Sequence, residues 1–256
     1  MHHAQIDRLS YQGSPIHRLD GRVKLLSVLV FSVFVISLPP TSVSILACYA
    51  VWPFAVLVIA NIPIRFVLKH ILIVSPFVLI LALSSLLYDK APVITAFGPV
   101  QWETTAGVLR CFAICGKFVI TMAALITLAA TTRFSDLLAA MAKLGLPRLL
   151  VVQLGFLYRY IFMLLDRAYH LLRARAGRRL RNLGFVGELK TAAAMVASLF
   201  IGSIDMAGRV NMAMQGRGFD GRFHRLGEMQ IRRADYFFAA ILALYLVGLY
   251  FLGRVF

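Results

Sequence analysis

The chain has 256 residues, of which 60% are hydrophobic and only 15% charged, and its mean hydropathy is +0.81. Soluble domains sit near about 45–50% apolar and about 25% charged, so this balance excludes an ordinary water-soluble fold and makes lipid the main solvent. The net charge of +16 would suggest nucleic acid in a soluble protein, but a membrane protein keeps such charge in its cytoplasmic segments.

In chain order, five segments meet the rule of about 20 mostly apolar residues for a membrane span. They are Val23–Leu38, Ser42–Ile62, Ile71–Tyr88, Val108–Thr131 and Tyr236–Leu252. Pro53 and Pro76 are expected to kink the second and third. Lys24 and Arg254 stand at span ends, where they are expected to reach the headgroups. No cleavable leader is expected, because a polar stretch precedes the first apolar run. Cys48, Cys111 and Cys115 lie in apolar runs and are expected to pack as small hydrophobes rather than form disulfides. Arg8, Arg18, Arg22, Lys24, Arg65 and Lys69 fall in connections on one side. Pro39–Thr41 carries no charge, and 89–107 holds only Lys90 against Asp89 and Glu103. This asymmetry places the N-terminus in the cytoplasm and the C-terminus outside.

Between the fourth and fifth spans, Arg133–Arg233 holds 17 of the 27 Lys and Arg against 6 of the 11 Asp and Glu. Its pattern is helical. Phe134–Leu144 reads as a short helix ended by Gly145 and Pro147. Arg148–Arg179 carries a stripe of Phe156, Tyr160, Leu164, Leu171 and Ala174, continued by Arg178. A third helix is expected over Glu188–Gln215, with a stripe of Met206, Val210, Ala213 and Met214 ending at Arg217. Its uncharged stretch Thr191–Ile204 is too short to span, and Asp205 can pair with Arg209 at i,i+4. Two long helices thus end in glycine-flanked arginines, Gly177-Arg178-Arg179 and Gly216-Arg217-Gly218.

Each arginine could simply terminate its helix, complementing the macrodipole beside a glycine that turns easily. A guanidinium on an apolar seam is desolvated once that seam docks and then needs an acceptor. None is placed locally, which points to a partner protein. Gly216–Gly221 satisfies G-x-G-x-x-G but lacks the strand and following helix of a dinucleotide site. No phosphate-binding loop occurs elsewhere. Lys117 lies inside the fourth span, either as a functional charge or reaching a polar neighbour. His2 and His3 could chelate a metal, though a mobile terminus without further ligands argues otherwise. No catalytic set and no metal or cofactor site is expected, so the chain is not read as an enzyme.

The residues resemble the transmembrane coupling (T) component of energy-coupling factor transporters, within it the cobalt-type, CbiQ-like subfamily. The resemblance is carried by Ser14–Lys24 before the first span, by Thr131–Leu138 and Leu144–Pro147, by Phe156–Phe162, and by two motifs akin to Ala-Arg-Gly. The second motif is Gly216-Arg217-Gly218. The first falls at Gly177-Arg178-Arg179, with Ala174-Arg175-Ala176 a competing register.

The resemblance implies an all-α integral membrane protein. It would comprise a four-helix transmembrane region over 1–132, a cytoplasmic coupling-helix region over 133–234 and a C-terminal transmembrane helix over 235–256. It implies two partners: cytoplasmic ABC ATPase subunits, whose grooves receive Arg178 and Arg217, and a separate substrate-binding membrane subunit. Co²⁺ is the implied substrate. Phe156, Tyr160, Leu164, Met206, Val210 and Met214 are expected to form a helix-packing platform. Two other readings fare worse. A self-contained secondary transporter would show paired inverted halves, and a membrane-anchored nucleic-acid binder would spread its basic residues over a solvated face.

Overall fold

The computed structural model describes residues 13–39, 43–88, 92–97, 100–178, 184–221 and 231–255. Eight helices run through them: α1 Gly21–Ser37, α2 Val43–Ile59, α3 Ile64–Tyr88, α4 Ala106–Thr131, α5 Phe134–Lys143, α6 Arg148–Arg178, α7 Gly184–Gly216 and α8 Arg233–Val255. The chain is an all-α integral membrane protein. Among the described residues, its strands form one antiparallel ribbon joining α3 to α4. There β1 Pro92–Phe97 pairs with β2 Val100–Thr105, from Phe97↔Val100 back to Pro92↔Thr105. Sequence pattern alone predicts no strand here.

Among the described residues, five helices are long and apolar enough to cross a membrane: α3, α4, α6, α7 and α8. The number agrees with expectation, but the membership differs. Helices α1 and α2 hold 17 residues each, about 25 Å of helical rise. Helices α6 and α7 hold 31 and 33. Thr191–Ile204 by itself is too short to span, because Lys190 and Asp205 bound it. The helix itself runs on through Glu188 and Lys190 on one side and Asp205 and Arg209 on the other.

Local sequence sets the helix ends. Asp20 caps α1, its carboxylate accepting from the Arg22 N–H at 2.9 Å. Helix α2 closes with Asn61 at φ 55, its N–H bonded to the Val58 carbonyl and that of Ile62 to the Leu57 carbonyl. This is a Schellman turn with Asn in the left-handed place, and Leu57 and Ile62 pack in one cluster behind it. Helices α2 and α3 run on through Pro53 and Pro76.

The helices fall into two compact units, Met1–Lys143 with Met229–Phe256, and Leu144–Glu228. In the first, α4 packs against α1, α2 and α3, α8 packs against α1 and α2, and α5 packs against α1. Small buried residues on α4 (Ala113, Ala123, Ala124 and Ala130) allow this close approach. At Gly116 an added Cβ would fall 2.5 Å from Leu46 Cδ2. Phe31, Tyr49, Ile120, Leu242 and Leu246 form the core, and the Trp52 ring stacks on Tyr245 at 5.7 Å. Leu72, Phe77, Ile80 and Leu87 of α3 stay exposed, the face lipid covers.

The second unit contains the antiparallel hairpin of α6 and α7. Arg175, near the end of α6, forms an ion pair with Glu188, near the start of α7. Midway, Arg167 Nη1 donates to the Gly202 carbonyl at 3.2 Å, and at the open end the rings of Phe156 and Phe219 lie 6.4 Å apart. No residue of either helix is buried. Leu157, Phe200, Ile201 and Met212 are among many exposed apolar side chains. A hairpin with so little interior requires lipid or protein against its faces.

Candidate functional site

Helix α7 ends in a Schellman turn built on the glycine-flanked arginine. The Phe219 N–H donates to the Met214 carbonyl at 3.0 Å, the Gly218 N–H donates to Gln215 at 3.0 Å, and Gly218 stands at φ +73. Arg217 is the C-cap of this turn. The local fold therefore requires glycine at 218, where a side chain would strain the backbone. It does not require glycine at 216, where an added Cβ would meet nothing within 4 Å. Arg217 itself is exposed.

The turn brings Phe219 back over the hairpin, where it closes a groove of about 360 Å³. Phe156, Tyr160 and Leu164 line it from α6, and Met206, Val210 and Met214 from α7. These six are the residues expected to form the apolar platform, and the structure places all of them on one concavity. The rings of Phe156 and Tyr160 stack at 6.0 Å. Phe219 was not foreseen. Its signal was the C″ place after Gly218, a position that often carries an apolar residue packing onto the last helical turn.

At the far end of α6, Arg178 is exposed and Gly177 is surrounded by open space. Arg179 lies outside the described residues. In the competing register, Arg175 is engaged by Glu188 within the hairpin, whereas neither Arg178 nor Arg217 has an ion pair among the described residues. Asp205 and Arg209 do not form the expected pair.

In the first unit, three charged residues hold helix ends together. Lys24 is buried rather than reaching the headgroups, and its ammonium donates to the carbonyls of Thr131 at 3.0 Å and His17 at 3.3 Å. Lys117 donates to Ile36 at 3.0 Å and Leu38 at 2.5 Å. Its polar neighbour is thus the carbonyl end of α1. Asp235, 1% exposed, accepts the Asp20 N–H at 2.7 Å and the Arg232 N–H at 2.7 Å. It is the reaching-back half of a capping box at the start of α8. An acid two residues inside a helix start was the available signal. His2 and His3 lie outside the described residues. Among the described residues no group of three or more His, Cys, Asp or Glu could hold a metal ion.

Comparison with known proteins bears on the whole chain. The chain is 27% identical over 239 residues to the energy-coupling factor transporter transmembrane protein EcfT of Leuconostoc gelidum, covering 88% of this chain and 87% of that one. It is 26% identical over 255 residues to the protein of the same name from Thermosediminibacter oceani, covering 94% and 93%. An uncharacterized protein of Methanocaldococcus jannaschii is 24% identical over 225 residues, covering 86% and 76%. The family model for CbiQ, described as cobalt transport protein, matches residues 12–228. The chain is a multi-pass membrane protein that belongs to this CbiQ family of transport proteins.

Proposed function

We propose that the chain is the transmembrane coupling subunit of an energy-coupling factor ABC importer whose substrate is a transition-metal ion, Co²⁺. It passes ATP-driven movement of cytoplasmic ATPase subunits to a separate membrane subunit that binds the metal. One observation carries the reading. Arg178 and Arg217 end the two helices of one hairpin, both exposed and without ion pairs among the described residues, beside glycines with open space around them. Because α6 and α7 run antiparallel, the arginines stand toward opposite ends. The rise from Phe156, which meets Phe219, to Arg178 is about 33 Å. That separation suits two distinct grooves, one on each ATPase of a pair.

The groove between α6 and α7 fits the other half of the role. Its lining of two methionines, valine, leucine and aromatics can repack as a partner moves. On this reading the N-terminus is cytoplasmic, and the hairpin works at the cytoplasmic side. The chain hydrolyses nothing itself. Co-expression with the ATPases and the metal-binding subunit should give a complex that takes up radiolabelled Co²⁺ only when ATP can be hydrolysed. Uptake by this chain alone in proteoliposomes, driven by an ion gradient, would overturn the reading in favour of a self-contained porter.

A further inference from the structure

The first unit holds a pocket of about 380 Å³ that the coupling role does not use. This falls within the range of about 300–1,000 Å³ typical of small-ligand sites. One wall is the turn that includes Gly13, Ser14 and Arg18, and the other is the start of α8 with Arg232 and Asp235. The turn is braced by hydrogen bonds from Leu19 N–H to the Ile16 carbonyl at 3.2 Å and between Ser14 Oγ and His17 Nδ1 at 2.7 Å. Arg18 and Arg232 are exposed, and neither guanidinium has an ion pair among the described residues. Asp235 forms no ion pair with either guanidinium among the described residues; its oxygens accept the backbone N–H groups of Asp20 and Arg232.

The pocket lies where α1 and α8 begin. Helix α4 ends at the same place, because Lys24 reaches Thr131. The turn from α2 into α3 lies there too, because Ile16, Ile62, Val67 and Ala130 share one cluster. Arg22, Arg65, Arg133 and Arg233 therefore gather at this end of the bundle, where the apolar helix α3 begins and α4 ends. We propose that the pocket binds the phosphoryl group of an anionic ligand, with an anionic phospholipid headgroup as its natural source. Planar guanidinium forks suit phosphate oxygens, and basic pockets between membrane helices take anionic headgroups. The inference rests on the membrane character of the chain and is independent of the coupling role.

The test is native mass spectrometry of the delipidated full-length chain, titrated separately with phosphatidylglycerol, phosphatidylcholine and inorganic phosphate. Phosphatidylglycerol should bind at one preferred site, and Arg18→Gln with Arg232→Gln should weaken it at least roughly tenfold, as loss of charge-assisted bonds implies. The Lys pair at the same positions, which keeps the charge, should retain part of the affinity. Arg65→Gln with Lys69→Gln removes the same charge at the same end outside the pocket and should leave affinity within about twofold. Inorganic phosphate bound with the same arginine dependence would support the site with a soluble source. Equal binding of phosphatidylcholine, or equal losses in the pocket and control pairs, would overturn the proposal.

Discussion

Lys24 and Lys117 cap each other's helices. The ammonium of Lys24 on α1 closes the carbonyl end of α4 at Thr131, and that of Lys117 on α4 closes the carbonyl end of α1 at Ile36 and Leu38. The last carbonyls of a helix have no intrahelical partner and carry the negative end of its dipole. In lipid no water satisfies them. Two antiparallel helices thus supply each other with the missing donors.

Replacing Lys117 with Met should therefore cost stability rather than transport. The expected loss is about 0.6–2 kcal/mol, measured by thermal unfolding in detergent. Metal uptake per assembled complex should stay near the parent level. Unchanged stability with uptake abolished would instead give Lys117 a place in an ion path.

Asp235→Ala strands the buried N–H of Asp20 and the half-buried N–H of Arg232. A hydrogen bond to a charged group contributes about 1.5–3 kcal/mol, so a loss of about 3 kcal/mol is expected for the pair, which is not fully additive. Asp235→Asn keeps one carbonyl oxygen and should lose roughly half as much. Thermal unfolding decides it, and an alanine variant as stable as the parent would contradict the assignment.

Much of this was legible from periodicity. Helices α6 and α7 were visible because Pro is absent and Phe156, Tyr160, Leu164, Met206, Val210 and Met214 repeat at helical spacing. Those same residues line one groove, because equal stripes on two adjacent helices have only each other to face. The ribbon was not legible, since Pro92, Gly98 and Pro99 are loop-forming residues in sequence. Lys24 was misplaced for a different reason. Span-end lysines ordinarily extend to the headgroups, and only the tertiary structure brings Thr131 within reach. The full apolar length of α7 was not legible, because its helix runs on past Lys190 and Asp205, which bound the uncharged stretch Thr191–Ile204.

The groove makes a prediction of its own. If it carries a partner, Met206→Asp with Val210→Asp should uncouple or dismantle the complex, because an unpaired buried charge costs several kcal/mol. The readouts are co-purification of the membrane partner and metal uptake at matched expression. Normal uptake in the double variant would leave the groove without a partner.

The proposed orientation places the ribbon outside and the segment linking α6 to α7 inside. Single cysteines at Thr95 and Asn182, in a chain freed of Cys48, Cys111 and Cys115, should label from opposite sides of the membrane. Labelling from the same side would contradict the topology.

The most direct measurement concerns the two helix-end arginines. Arg178→Ala, Arg217→Ala and the double variant are compared for ATPase co-purification and for ATP-driven metal uptake at matched membrane expression. Each single loss should weaken both readouts. The double loss should abolish them, because two contacts share one assembly, and Lys should rescue poorly where a planar fork is required. Retention of both activities in the double variant would contradict the coupling role and leave Arg178 and Arg217 as helix-end charges alone.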